Sequence, residues 1–266
     1  MKNLIASSPS MFPLRASLFY KYGNEIRTTW DYLARDGKHR QGEMVADQTR
    51  YNCNAMTFMI YNMVAPENMV NPFLGCPNAS QVVAGMFEPD MKELELWSPI
   101  LQPGTDPNVW LIPCLFCGDD SATTNNTAFH EFFLKYAIPW LNPYSKAYII
   151  ASEASKSMNP AQQANMIAYI KRFTDKPVGV HNQGTNIAAN ADFLAYEFSF
   201  PPWDGDKHSV GDIVNEAVNV MRQYPGYVWF EEMNINCEGE QSKAQARALR
   251  DLAAIEPRII GVPVPT

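Results

Sequence analysis

From residue 109 onward, apolar runs typical of buried strands alternate with segments in which apolar residues recur at helical spacing. Ordinary capping signals mark the helices: Asn159-Pro160 precedes one, Ser209 opens another, and Pro225-Gly226 ends the latter. The pattern predicts, in chain order, strand 109–117, helix 126–141, strand 147–152, helix 161–173, strand 178–181, strand 193–198, a helix from 209, a strand from 227, helix 240–255 and strand 259–264. Such alternation is typical of a parallel sheet with crossover helices.

Before residue 109 the pattern is weaker. It predicts two further strands, at 16–22 and 56–61, and two helices, at 41–50 and 91–101. The segment 62–90 is rich in Asn, Pro and Gly and is predicted to be a long loop. Eight strands joined by crossovers predict one (β/α)8 TIM barrel over residues 1–266, with a final helix that is lacking or irregular because the eighth strand lies near residue 266. An open doubly wound sheet is the alternative.

Composition narrows the class of protein. A chain of 266 residues, 46% of them hydrophobic, can bury a large core. The net charge of -7 disfavours a nucleic-acid partner. No apolar run approaches the ~18 residues of a membrane span, and no signal peptide is visible. Five scattered cysteines are typical of a reduced protein, so we expect a soluble chain in a reducing compartment, of undetermined oligomeric state.

Two predicted strands end in glutamate. The segment 227–234 begins apolar and aromatic and closes on Glu231-Glu232, and the segment 147–155 closes on Glu153. The carboxyl ends of barrel strands carry active sites, so these glutamates are candidate catalytic residues. Because side chains alternate across a strand, only one of Glu231 and Glu232 is expected to face the barrel mouth. Glu153 could instead cap the helix near Asn159 or pair with Lys156.

Signals for metals and cofactors are weak, and neither is expected. Cys114 and Cys117 have C-x-x-C spacing, but they lie in a predicted strand, where positions three apart face opposite sides. The four histidines form no H-E-x-x-H motif, and no P-loop, G-x-G-x-x-G or G-x-S-x-G segment occurs.

In the eight-strand count Glu153 follows strand four, and the Glu231-Glu232 pair closes strand seven. In this the chain resembles the clan of retaining glycoside hydrolases on (β/α)8 barrels that includes β-mannanases and cellulases. The segment 229–233 is similar to the Phe-Glu-Glu-Phe/Tyr-Gly strand end of some mannanases, with Asn234 in place of the glycine; Ser152 stands where the clan usually has asparagine. The resemblance implies that Glu232 is the nucleophile and Glu153 the acid/base.

Two carboxyls suit glycoside hydrolysis because one must protonate the leaving oxygen while the other stabilises or attacks the opposite face of the sugar. The resemblance further implies a carbohydrate substrate. Glu197, which ends predicted strand six, is an alternative catalytic acid. Side chains at other strand ends are candidate substrate contacts: Tyr61, Asp119, Asp120, His181, Asn182, Tyr196 and Trp203. Trp203 could stack on a sugar, which fits the 12% aromatic content, but it could also anchor its loop. An inert carbohydrate-binding or structural barrel, or another barrel enzyme such as a lyase or aldolase, is the alternative.

Overall fold

The computed structural model describes residues 1–2, 12–16, 19–22, 25–28, 53–59, 101–118, 127–198, 208–232 and 239–263. The predicted helix 41–50, the loop 62–90 and all but the last residue of the predicted helix 91–101 lie outside these ranges. So do four of the candidate substrate contacts: Tyr61, Asp119, Asp120 and Trp203.

Eight parallel strands form the sheet, and each lies beside the next along the chain. They are β1 (Leu14–Ala16), β4 (Ala55–Met59), β5 (Trp110–Cys117), β6 (Tyr148–Ser152), β7 (Val178–Asn182), β8 (Phe193–Glu197), β9 (Tyr227–Glu232) and β10 (Ile259–Pro263). The last of these, β10, pairs with the first, β1. The order of eight successive parallel neighbours is the one that the sequence pattern predicts for a barrel.

The sheet is nearly closed between its two remaining edges. The main-chain N–H of Asn54, just before β4, donates to the carbonyl of Arg15 in β1 at 3.0 Å. The Asn54 side-chain Oδ1 accepts from the N–H of Arg15 at 2.6 Å. These bonds join the first and second barrel strands, so the (β/α)8 prediction is confirmed and the open doubly wound alternative is wrong.

In the described part of the chain, four long helices cross between consecutive strands. They are α1 (Thr127–Leu141), α2 (Pro160–Ile170), α3 (Val210–Gln223) and α4 (Gly239–Ile255). The predicted caps are present: Asn159 accepts from the N–H of Gln162 at 3.0 Å, and Ser209 accepts from the N–H of Asp212 at 3.2 Å, each within a reciprocal capping box. The last described element is β10, so no helix follows the eighth barrel strand within the described chain.

One early element differs from the sequence prediction. The predicted strand 16–22 is divided: β1 ends at Ala16, whereas β2 (Phe19–Tyr22) pairs antiparallel with β3 (Glu25–Thr28) outside the barrel. Residues that favour extended backbone suit a barrel strand and a hairpin equally, so local propensity cannot identify the partner strand.

Alternate residues of the strands build two apolar layers. One buried cluster fills the barrel interior, and the other lies between the strands and the helices. The interior cluster comprises Leu14, Ala55, Trp110, Ile112, Cys114, Ala147, Ile149, Phe193, Ala195, Trp229 and Ile260. Phe12 packs edge-on against Trp110 where β5 begins, with ring centroids 5.2 Å apart. The interior is therefore packed with apolar side chains.

Among the residues that the structure describes, no helix is both long and apolar enough to cross a membrane.

Candidate active site

Four neighbouring barrel strands carry acidic or imidazole side chains at or just beyond their carboxyl ends. Glu153 directly follows β6, His181 lies near the end of β7, Glu197 ends β8, and Glu231 is the penultimate residue of β9. Parallel strands of a barrel end at the same rim, so these side chains meet there. Hydrogen bonds connect them into one network, which we call the rim cluster: Thr57, Glu153, Lys156, His181, Gln183, Glu197 and Glu231.

The Glu231 carboxylate is held inside the barrel. Its side chain is 5% exposed. One oxygen accepts from Thr57 Oγ1 of β4 at 2.8 Å, and the other lies 3.0 Å from His181 Nε2 of β7. Donors on both oxygens stabilise the negative charge and fix the orientation of the carboxylate. Thr57 is absent from the sequence-based candidates, although it lies two residues after the interior residue Ala55 and so shares its face of β4.

His181 connects the two strand-end glutamates. Its Nδ1 accepts from the main-chain N–H of Glu153 at 2.9 Å, so the ring proton belongs on Nε2, which donates to Glu231. The sequence predicts His181 as a substrate contact. In the structure both ring nitrogens are bonded to protein groups, and the side chain is 4% exposed, so its position fits the support of Glu231 better than contact with a sugar.

Glu153 has a strained main chain and a partly open side chain. Its φ of 44° lies in the left-handed region, where a non-glycine residue costs about 1–2 kcal/mol. Such strain is found preferentially at functional sites. The predicted pair with Lys156 is present at 2.6 Å, and the carboxylate is 17% exposed. Glu153 does not cap helix α2, because Asn159 occupies the cap position.

Glu197 and Glu153 share one hydrogen-bond donor. Gln183 Nε2 donates to Glu153 Oε1 at 2.8 Å and to Glu197 Oε1 at 3.0 Å. Because both oxygens lie within about 3 Å of the same nitrogen, they can be at most about 6 Å apart. The bound concerns Glu153 and the alternative catalytic acid Glu197, and it includes the separation of about 5–5.5 Å that is typical of the two carboxyls of a retaining glycosidase. Gln183 is not among the sequence-based candidates, although it directly follows His181 and Asn182. Its contacts depend on where the strands carrying Glu153 and Glu197 end.

A local irregularity affects the choice between the two glutamates of β9. Tyr196 pairs with Phe230, but the next residue of β8, Glu197, pairs with Glu232, so β9 contains one additional residue at this point. A bulge interrupts the strict alternation of side chains on which the sequence-based choice depends. Glu231 faces the interior, while the side chain of Glu232 lies outside the described residues.

Two predicted substrate contacts lie away from the rim cluster. Tyr196 belongs to the layer between strands and helices, and its hydroxyl donates to Glu216 of α3 at 2.6 Å. Burial and this carboxylate raise the pKa of the Tyr196 phenol well above its usual range. Asn182 alternates with the inward-facing His181; it is buried and donates to the carbonyl of Gly184 at 3.0 Å. Alternation along β7 and β8 thus places both residues on the outer side of the sheet.

Within the described ranges, no group of three His, Cys, Asp or Glu side chains is arranged to hold a metal ion. Cys114 lies in the apolar interior of the barrel, and the side chain of Cys117 is outside the described residues.

The Glu153 main chain requires a glycine on the neighbouring strand end. Gly118 donates its N–H to the carbonyl of Ser152 at 2.7 Å, and a Cβ atom at position 118 would lie 2.1 Å from the carbonyl oxygen of Glu153. We expect Gly118→Ala to displace the Glu153 peptide and to lower any activity of this site on the order of 10²-fold, since displacements near 1 Å have such effects. Activity per folded protein, with folding followed by circular dichroism, measures this effect.

Gly184→Ala is the matched control, because a Cβ there meets nothing closer than 3.8 Å. Equal activity of the two variants would contradict the role of Gly118.

Comparison with known proteins shows that the fold is similar to that of several solved glycoside hydrolases. No protein-family model matches the chain, and no curated protein matches it in sequence. Among solved structures, the β-glycosidase from Thermosphaera aggregans is similar with a TM-score of 0.58 at 9% identity, covering 95% of this chain and 87% of that chain. A family 5 mannosidase from Rhizomucor miehei has a TM-score of 0.57 at 10% identity, covering 88% and 77%.

A family 113 β-mannanase from Alicyclobacillus acidocaldarius has a TM-score of 0.52 at 13% identity, covering 94% and 85%. At these identities the similarity is one of fold, and it confirms that the chain adopts the barrel that the resemblance in its sequence implies.

Proposed function

We propose that this protein is a glycoside hydrolase that cleaves an oligosaccharide or polysaccharide by a retaining two-glutamate mechanism. The observation that carries the proposal is the rim cluster, in which Glu153 and Glu231 are joined through His181 at the carboxyl end of the barrel. Its neighbours of similar fold are glycoside hydrolases. A rim at this end is where (β/α)8 enzymes carry their chemistry.

Glu231 is the nucleophile that the contacts support best. A nucleophilic carboxylate must be ionised and aimed at the anomeric carbon, and the donors Thr57 and His181 stabilise that form in a buried setting. The resemblance in sequence favours Glu232 instead. The two assignments of the nucleophile, Glu231 and Glu232, therefore make opposite predictions about which of these two residues is essential for activity.

Glu153 is the proposed acid/base. It must donate a proton to the glycosidic oxygen as the bond to the leaving sugar breaks, and later accept one from water. Its carboxylate is partly exposed at the rim, where a substrate can reach it. Gln183 holds one of its oxygens, and the other pairs with Lys156, whose side chain is half exposed.

The names of the fold neighbours support a choice of substrates for the assay. Their names include β-mannanase, mannosidase and β-glycosidase, so β-linked mannans and glucans are the first substrates to test. We propose incubating the wild-type protein with a panel of these polysaccharides and their oligosaccharides. Release of reducing ends measures hydrolysis, and proton NMR of the first product measures the anomeric configuration.

The expected result is hydrolysis of at least one β-linked substrate with initial release of the β-anomer. Initial release of the α-anomer would contradict the retaining mechanism. Binding of a glycan without cleavage, measured by calorimetry, would instead identify an inert carbohydrate-binding barrel. Absence of both would contradict the proposed function. The double variant with Glu153→Gln and Glu231→Gln is the control for contaminating hydrolases.

A further inference from the structure

We infer that Gln183 binds a hydroxyl group of the substrate through its side-chain carbonyl oxygen, Oε1, and so selects for a sugar that carries a hydroxyl at one particular position beside Glu153. The assignment rests on the proposed function, because the ligand is the substrate of that same site. Gln183 lies just beyond the end of β7 and is half-buried. The orientation of its amide group decides what it offers to a ligand.

Two carboxylates fix the orientation of the Gln183 amide. Its Nε2 donates to Glu153 Oε1 at 2.8 Å and to Glu197 Oε1 at 3.0 Å. The NH₂ group has two hydrogens, one for each of these acceptors. A reversed amide would place its carbonyl oxygen against two carboxylate oxygens, which cannot donate. The NH₂ group is therefore bound by the two glutamates, and Oε1 is the end of the amide that they leave unbound.

The carbonyl oxygen of this amide is available to a ligand. Among the residues that the structure describes, no group donates to Gln183 Oε1, and the atom is not one of the fully buried polar atoms that lack a partner. An unpaired atom that is not fully buried is in contact with solvent. A carbonyl oxygen can accept hydrogen bonds but cannot donate them. Gln183 thus presents an acceptor, and the hydroxyl groups of sugars are suitable donors.

This acceptor lies close to the proposed acid/base. The nitrogen and oxygen of one amide group are about 2.2 Å apart by covalent geometry, and Nε2 lies 2.8 Å from Glu153 Oε1. Gln183 Oε1 is therefore within about 5 Å of the Glu153 carboxylate. A sugar whose glycosidic oxygen contacts Glu153 carries hydroxyl groups on nearby carbons. One of these can donate to Oε1, so the contact reads a sugar next to the bond that is cleaved.

The other side chains at this strand end are not placed for such a contact. His181 is bonded to protein groups through both ring nitrogens, and Asn182 lies on the outer side of the sheet. Asn182 Nδ2 also donates to the carbonyl of Gly184 at 3.0 Å, which closes the turn that carries Gln183. A side chain that is already held at its nitrogen loses little conformational freedom when a ligand binds its oxygen. Gln183 is therefore preorganised for a substrate hydroxyl.

The experiment combines Gln183→Met with glycans that lack single hydroxyl groups. The probes are β-linked mannotetraose and cellotetraose, followed by derivatives of the tighter binder that lack one hydroxyl at a time on the two central sugars. Affinities are measured by calorimetry in a Glu231→Gln background, which keeps the glycan intact. We expect removal of one particular hydroxyl to weaken binding about 3–10-fold when Gln183 is present, the usual effect of one hydrogen bond, and less than about twofold in Gln183→Met.

Gln102→Met is the matched control, because Gln102 is exposed in the segment before β5, at the opposite end of the barrel. It should leave the effect of every hydroxyl unchanged. If Gln183→Met weakens all derivatives by the same factor, the inference is overturned, since displaced carboxylates alone would act on every glycan alike.

The contact and the proposed hydrolysis fail in different ways. A loss at one hydroxyl that depends on Gln183, without cleavage by the wild-type protein, supports the contact and contradicts hydrolysis alone. Cleavage without any such loss overturns the contact alone. Absence of binding to either tetrasaccharide would also overturn the contact.

Discussion

Glu231→Gln is expected to lower kcat/KM on the natural glycan on the order of 10⁴-fold or more, the scale on which enzymes lose activity when a nucleophile is removed. The amide has nearly the same shape but carries no negative charge, so it cannot form the bond to the anomeric carbon. The amide oxygen can accept a hydrogen bond from one of the two donors, Thr57 or His181. The amide NH₂ group faces the other donor and cannot accept from it. Steady-state kinetics with the folded variant measures the loss.

Glu232→Gln is the matched comparison, because it changes the adjacent residue of the same strand by the same atoms. If Glu231 is the nucleophile, this variant keeps far more activity than Glu231→Gln. The reverse order would contradict the assignment to Glu231 and restore the one that the sequence resemblance implies. Azide added to Glu231→Ala provides an independent check, since attack from the vacated side gives a glycosyl azide of inverted configuration.

Glu153→Gln is expected to lower kcat/KM on polysaccharide by about 10²–10⁴-fold, the usual contribution of a general acid. The loss should be much smaller on a dinitrophenyl glycoside, because that leaving group departs as a stable anion and needs no proton. Comparing the two substrates in the same variant distinguishes an acid/base from a residue that only holds the sugar.

An equal loss on both substrates would contradict the acid role of Glu153. Glu240→Gln, at an exposed glutamate of helix α4 that also pairs with a lysine three residues on, is the control for the substitution itself. With azide, Glu153→Ala should give a glycosyl azide of retained configuration, the opposite of the product from Glu231→Ala.

The regular part of the fold is predictable from local sequence. Strand and helix positions from residue 109 onward agree with the structure to within a few residues, because buried strands and amphipathic helices have distinct spacings. The capping boxes at Asn159 and Ser209 are equally local. Counting these elements was sufficient to predict eight parallel strands and to place Glu153 and the Glu231-Glu232 pair at strand ends.

Early in the chain the same reasoning is weaker. The division of 16–22 into a barrel strand and a hairpin strand depends on which strands lie beside them, and residue type does not encode this. Closure of the barrel through Asn54 and Arg15 likewise joins residues 39 positions apart. Such pairings emerge only when the whole sheet is assembled.

The sequence by itself determined the barrel, the strand ends and the presence of carboxylates there. Only the tertiary structure decided which groups meet: Thr57 reaches Glu231 across 174 positions, Gln183 joins Glu153 to Glu197, and the additional residue in β9 interrupts the alternation that would have assigned its two glutamates. The physical reason is the distance along the chain between the residues that interact. Secondary structure is governed by neighbours within a turn or a strand, whereas the geometry of a site depends on register and on hydrogen bonds between distant strands.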